Sequence, residues 1–192
     1  MKKILVLDNY DSFTYNLVHL VEKILPVKVE VVLNDQIELE QVAHYDKIIL
    51  SPGPGLPTEA GRMIPLIQMY ASTKSILGVC LGHQAIAEAF GASLQNLSQV
   101  FHGVATSIDI VDPATSLFQH LSPKQLVGRY HSWVVSPVNL PPSLSVTAVD
   151  HDQNIMALRH KQFDVQGIQF HPESILTPCG EQIISNWLQA SA

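Results

Sequence analysis

The sequence predicts an α/β fold: an open, mostly parallel central sheet with helices on both faces and a cysteine nucleophile elbow. Three observations carry this expectation. The chain opens in the order strand, helix, strand, helix, strand, which builds a parallel sheet with right-handed crossovers. Next, Ser75–Phe90, SILGVCLGHQAIAEAF, reads as strand, tight turn and helix, with Cys80 at the tip between Gly78 and Gly82. Finally, Ile168-Gln169-Phe170-His171-Pro172-Glu173 ends an apolar run with a histidine and a carboxylate.

Taken in order, Ile4–Leu7 is a continuous apolar run of the kind buried on both faces of a parallel sheet. Asp8-Asn9-Tyr10-Asp11-Ser12 is a turn rich in helix-capping residues. A helix follows to about Leu25, with Phe13, Leu17, Leu20, Val21 and Ile24 on one face, and Pro26 stops it. Val29–Leu33 is the next strand, Asn34-Asp35 caps a short helical piece to about Ala43, and Lys47–Leu50 is the third strand. Ser51-Pro52-Gly53-Pro54-Gly55-Leu56-Pro57 then forms a stiff loop at a strand's carboxyl end, where open α/β sheets bind ligands. It lacks the lysine and Ser/Thr of a phosphate-cradling loop, so the loop alone reads equally as a rigid connector. Glu59–Tyr70 reads as a helix kinked at Pro65.

From Ala92 onward short strand-like runs take over: Ser107–Val111, Gln125–Tyr130, Leu144–Val149, Ile155–Arg159 and Val165–Phe170. They extend the sheet with some antiparallel strands. Pro178-Cys179-Gly180 breaks the chain before a last helix, Glu181–Leu188, whose apolar face carries Ile183, Ile184, Trp187 and Leu188.

A length of 192 residues suits one domain over 1–192 with a sizeable core. The net charge of −6 and the lack of a lysine-arginine cluster argue against a nucleic-acid or anionic-membrane surface. The apolar run at the start ends at Asp8, far too early for a signal peptide, and no stretch approaches a membrane span. Two cysteines, Cys80 and Cys179, make no disulfide framework, and a reducing cytoplasm is expected.

A cysteine in an apolar run is ordinarily a small buried hydrophobe. The flanking glycines change that expectation, because they let strand and helix pass closely and lift the sulfur to the helix N-terminus, whose positive end favours thiolate. Such a nucleophile needs a base and an orienting group. His171 follows a strand, and Glu173 lies two residues on, stiffened by Pro172. His83 lies too close to Cys80 on the same helix, while His102 and His131, in loops, remain open. His19, His44, His120 and His151 stand in ordinary contexts. No two plausible ligands fall at zinc-site spacing in a convincing pattern, and a zinc site is not expected; no cofactor is expected either.

Gly78-Val79-Cys80-Leu81-Gly82-His83-Gln84, Ser51-Pro52-Gly53-Pro54-Gly55 and Gln169-Phe170-His171-Pro172-Glu173-Ser174 together resemble the class I (triad) glutamine amidotransferases. Asp8-Asn9-Tyr10-Asp11-Ser12-Phe13-Thr14-Tyr15-Asn16-Leu17 and Arg129-Tyr130-His131-Ser132 are similar to the glutaminase subunits of anthranilate synthase and aminodeoxychorismate synthase. The resemblance implies that Cys80 attacks the carboxamide of L-glutamine, that His171 is base and acid, and that Glu173 orients it. It implies an oxyanion site at the backbone of Leu81 and of Gly53, Pro54 and Gly55, with Gln84, Ser132 and Trp133 holding the amino-acid end. Ammonia would pass to a separate chorismate-using subunit, in tryptophan or in folate biosynthesis. Two departures stand out: Val104 where the family usually has lysine, and Trp133 where it usually has leucine. A non-catalytic docking subunit is disfavoured by the intact Cys80, His171 and Glu173. A free-standing γ-glutamyl hydrolase is disfavoured by the Asp8–Leu17 and Arg129–Ser132 motifs.

Overall fold

The computed structural model describes residues 2–112 and 115–190. Its first half is the expected alternation: β1 (Ile4–Asp8), α1 (Thr14–Ile24), β2 (Val29–Leu33), β3 (Lys47–Leu50), α2 (Met63–Tyr70), β4 (Ser75–Val79) and α3 (Leu81–Ala89). The second half is β5 (Leu94–Asn96), β6 (Val104–Ile110), β7 (Lys124–Arg129), β8 (Trp133–Val135), β9 (Leu144–Asp150), β10 (Ile155–His160), β11 (Val165–Ile168) and α4 (Gly180–Gln189). Among the described residues the main sheet has nine strands in the order β2-β1-β3-β4-β11-β10-β9-β6-β7, while β5 and β8 form a small separate ladder.

The pairings from β2 to β11 are all parallel and those from β11 to β7 are all antiparallel. Only β10 and β6 therefore run against the rest, and the sheet is mostly parallel in direction, as expected. Helices cover both faces. Leu17 and Val21 of α1 share one core with Ile183, Ile184 and Trp187 of α4. Met63, Leu66 and Ile67 of α2 share the other with Leu81, Ala85 and Ile86 of α3. The apolar faces expected for the first and last helices are thus the faces that bury, except at the head of α1. There Phe13 precedes the helix, half-buried, and turns toward the functional loops instead.

Two other expectations are corrected. The helical piece before β3 is a 3₁₀ turn confined to Leu39–His44. Glu59–Tyr70 is not one kinked helix: a 3₁₀ turn at Pro57–Glu59 is separated from α2 by Gly61, whose φ of +52° no helix continues through. Pro65 then falls in the first turn of α2, where backbone N–H groups have no intrahelical acceptor to lose, so it introduces no kink.

Candidate active site

The register of the parallel strands assembles the site. β4 lies between β3 and β11, with Gly78 opposite Leu50 on one side and Gly167 on the other. The chain leaves these strands at one edge, so Cys80 emerges between the Ser51–Gly55 loop and the His171–Glu173 segment. That position at the carboxyl ends of adjacent strands is where α/β sheets present ligand sites.

Cys80 has φ +52° and ψ −101°, a backbone region costly for a residue with a Cβ, and its N–H is held by the Ile168 carbonyl at 2.9 Å. The surroundings enforce this turn. A Cβ on Gly78 would collide with the backbone of Gly82, and one on Gly82 with the Leu50 carbonyl. Only glycines let α3 start so close over β3 and β4. Leu81 is the first residue of α3, so its N–H belongs to the turn that lacks intrahelical acceptors.

His171 and Glu173 are brought to the same place. The His171 Nδ1 and Glu173 Oε1 are 2.6 Å apart, and both side chains are almost wholly buried. The backbone is pinned by His171 N–H donating to the Gly128 carbonyl at 3.0 Å, and the Thr177 hydroxyl donates to the His171 carbonyl at 2.6 Å. The ring packs edge-on against Tyr130, 4.8 Å between centroids, and Phe13, 5.9 Å. With Nδ1 committed to Glu173, Nε2 is buried with no hydrogen-bond partner among the described residues, and the Cys80 sulfur is the group it acts on.

Burial of the His171 ring works against its charged form, but contact with the Cys80 sulfur and the Glu173 carboxylate outweighs it, and the pKa is pushed up to about 10. The pairing thus favours the imidazolium form of the ring. Cys80→Ala is expected to lower this pKa, because burial remains while the sulfur's favourable contact is gone. The pH titration of the His171 Cε1–H resonance measures the change. An unmoved titration would assign the whole upward shift to Glu173.

Beside Cys80 lies a cavity of about 410 Å³. Every residue expected at the substrate site lines it: Gly53, Pro54, Gly55, Leu81, Gln84, Ser132 and Trp133. Leu56, Tyr130 and His131 line it too. The other histidines left open fall away as bases. His131 uses both nitrogens, Nε2 accepting from Arg129 Nε and Nδ1 meeting the Trp133 carbonyl, each at 3.0 Å. Burial and the neighbouring guanidinium push its pKa down to about 3. His83, on α3, is wholly buried against Gly167 of β11, and burial takes its pKa to about 3 as well. His102 is outside the cavity, its ring edge-on to Tyr130 at 6.2 Å. Among the described residues no cluster of three or more His, Cys, Asp or Glu is arranged to hold a metal ion.

Four features escaped the sequence. Phe13 and Tyr130 wall the His171 ring. Gln169, wholly buried, places its Nε2 3.6 Å from Cys80 Sγ. Arg129, buried and paired with Asp150 at 2.8 Å, stacks over Phe101 with 3.6 Å to the ring centroid. The signals were present, since Gln169 precedes His171 by two residues and Arg129 lies in the motif that contains His131, but nothing in one sequence says which polar side chains turn inward.

A buried cysteine on a strained elbow, a histidine–carboxylate pair beside it and a substrate-sized cavity are the parts of a cysteine-nucleophile site on an α/β fold. The chain matches Glutamine amidotransferase class-I over residues 5–190 and belongs to that family. It is 44% identical to anthranilate synthase component 2 of Pseudomonas aeruginosa, over 97% of this chain and 94% of that protein. It is also 44% identical to aminodeoxychorismate synthase component 2 of Escherichia coli, over 96% of this chain and 98% of that one. A bifunctional TrpGD protein of Thermotoga maritima is 40% identical over 98% of this chain, which spans only 32% of that longer relative. The crystal structure of a glutamine amidotransferase from Thermotoga maritima shares the fold, with a TM-score of 0.78 at 13% identity, covering 97% of this chain and 94% of that one.

Proposed function

We propose that this class-I glutamine amidotransferase is the glutaminase subunit of a chorismate-using synthase, hydrolysing L-glutamine to glutamate and supplying ammonia to a separate subunit that makes anthranilate for tryptophan biosynthesis. The observation that carries the chemistry is the convergence of Cys80, His171 and Glu173 beside the 410 Å³ cavity. In this reading the Cys80 thiolate attacks the carboxamide carbon. The oxyanion is met by the Leu81 N–H and the Gly53–Gly55 backbone, donors typically worth about a hundred- to a thousand-fold in rate. The His171 imidazolium gives its proton to the departing nitrogen, releasing ammonia and leaving a thioester. The neutral ring then takes a proton from water, which attacks the thioester and frees glutamate and the thiolate. Glu173 keeps the ring's orientation through both halves, while Gln84, Ser132 and Trp133 hold the amino-acid end.

The partner assignment is supported by similarity to component 2 subunits. Equal identity to an aminodeoxychorismate synthase component supports a second reading, the same chemistry serving p-aminobenzoate and folate synthesis, or both pathways. Glutamine-dependent product formation, measured with an anthranilate-forming and with an aminodeoxychorismate-forming synthase, separates them. Product with neither, alongside unstimulated glutaminase activity, would favour the free-standing hydrolase. The chain is read as a single domain, with neither a metal nor a cofactor in this chemistry. Both cysteines are free, which supports the cytoplasmic reading. Among the described residues no helix is long and apolar enough to cross a membrane.

Val104 gives a test of the partner surface. It stands at the exposed start of β6, 40% accessible, opposite Arg129. Val104→Lys should fold normally and change partner affinity by only about 0–1 kcal/mol, the ordinary worth of an exposed charge pair. Titration calorimetry against the partner reads this directly, and a larger change would place Val104 inside the contact rather than at its rim.

A further inference from the structure

We propose that Gln169 is a positioning residue of this site, its amide N–H held against Cys80 Sγ as the last member of a buried hydrogen-bond relay that begins at the Arg129–Asp150 ion pair. The inference rests on the reading of Cys80 as the nucleophile. The relay runs from the antiparallel half of the sheet to the elbow. Arg129 Nη1 donates to Asp150 Oδ2 at 2.8 Å, and Arg129 Nε to His131 Nε2 at 3.0 Å. His131 Nδ1 lies 3.0 Å from the Trp133 carbonyl, which also accepts from Gln84 Nε2 at 2.9 Å. Gln84 Nε2 is in turn 3.1 Å from Gln169 Oε1, and Gln169 Nε2 is 3.6 Å from Cys80 Sγ, a hydrogen-bond distance for the larger sulfur atom.

The chemistry of the groups fixes the sense of each bond. A guanidinium only donates, so His131 accepts at Nε2 and, as a neutral ring, carries its proton on Nδ1. That proton faces a carbonyl, which only accepts. The same carbonyl obliges Gln84 to present its NH₂ rather than its oxygen. Gln84's NH₂ then requires an oxygen from Gln169, which leaves Gln169's NH₂ facing the sulfur. Reversing the Gln169 amide would set two NH₂ groups against each other in a wholly buried place, at the cost of an unsatisfied donor. The relay therefore presents to Sγ a group that can only donate. Donation favours thiolate over thiol, since hydrogen bonds to a charged partner are the stronger ones. The sulfur consequently has a donor in Gln169 Nε2 beside the His171 ring, both supplied by the segment after β11, and the same Gln84 that lines the cavity is locked in one orientation. The remaining charged groups around this pair are Glu173, through His171, and Asp11, which acts on both of them electrostatically.

The test is site-resolved mass spectrometry of iodoacetamide labelling across pH, in the full chain, with Cys179 as internal reference. Gln169→Met keeps the length of the side chain and removes the donor. It should move the midpoint of Cys80 labelling upward by about one pH unit, the effect of a single hydrogen bond to a charged group. Gln169→Glu should move it further, while circular dichroism shows both folded. An unchanged midpoint in folded Gln169→Met overturns the proposal. Should these variants not fold, nuclear magnetic resonance of the unsubstituted protein decides. The Gln169 side-chain NH₂ resonances should shift when Cys80 is alkylated, and His131 should carry its proton on Nδ1. Unmoved amide resonances, or an Nε2–H tautomer of His131, would overturn it. If Cys80 labels no faster than Cys179 in the unsubstituted protein, it is the nucleophile assignment that fails, not the relay.

Discussion

Cys80→Ala is expected to abolish glutamine-dependent synthesis by the assembled enzyme, a loss on the order of 10⁴-fold or more, while the partner's synthesis from added ammonia persists. The expectation follows from how the elbow is built. The sulfur of residue 80 meets the Gln169 amide and interacts with the His171 ring. Alanine at this position keeps the Cβ and meets the same φ of +52°, so the turn itself is no more strained than before. Folding and partner binding should therefore survive, and loss of glutaminase activity with intact binding is the signature to look for. Cys179→Ala serves as the control. Cys179 is also buried just ahead of a helix, at the start of α4, but burial pushes its thiol pKa up. Among the described residues no base pairs with it, and its removal should leave kcat and KM essentially unchanged. Glutaminase activity retained by Cys80→Ala would end the nucleophile reading.

How much of this was legible beforehand depended on whether the information was local. The elbow was readable because glycine at 78 and 82 and cysteine at 80 answer to one close approach of strand and helix, all within one segment. The His171–Glu173 pair was readable because two residues of separation suffice for the contact. The cavity residues came from the resemblance, and all seven line the space beside Cys80. The relay was not readable: Arg129, His131, Trp133, Gln84 and Gln169 come from β7, the loop after it, β8, α3 and the segment beyond β11. Only the pairing of β4 with β11 and the folding of β8 toward α3 bring them together. Phe13 illustrates the opposite error. Its spacing fits the apolar face of α1, yet it lies just before the helix, where its ring meets Tyr130 and His171. Pro65 was misread for a similar reason, since a proline's effect depends on where the helix starts, and Gly61 sets that start.

The division of labour between His171 and Glu173 yields the remaining large effect. His171→Ala should reduce glutaminase turnover by about 10²–10⁴-fold, the usual worth of a positioned acid–base group. It should also slow the labelling of Cys80 by a glutamine-like electrophile, because the sulfur loses the donor at Nε2. Glu173→Gln should cost less. The amide retains an oxygen that can accept from Nδ1–H, but the carboxylate charge that helps hold the ring's pKa up is gone. The imidazolium is then less favoured, while burial, which opposes it, is unaffected. The stronger claim concerns the double variant. Glu173 Oε1 engages the His171 ring, and Oε2 is buried without a partner among the described residues, so this carboxylate is expected to act on the substrate through the histidine. His171→Ala combined with Glu173→Gln should therefore lose no more activity than His171→Ala alone, a non-additivity expected of residues acting as one unit. Steady-state kinetics on the four proteins, each in complex with the synthase partner, complete the cycle. Losses that multiplied instead of saturating would show that Glu173 acts on the reaction independently, and the orienting role assigned to it would be wrong.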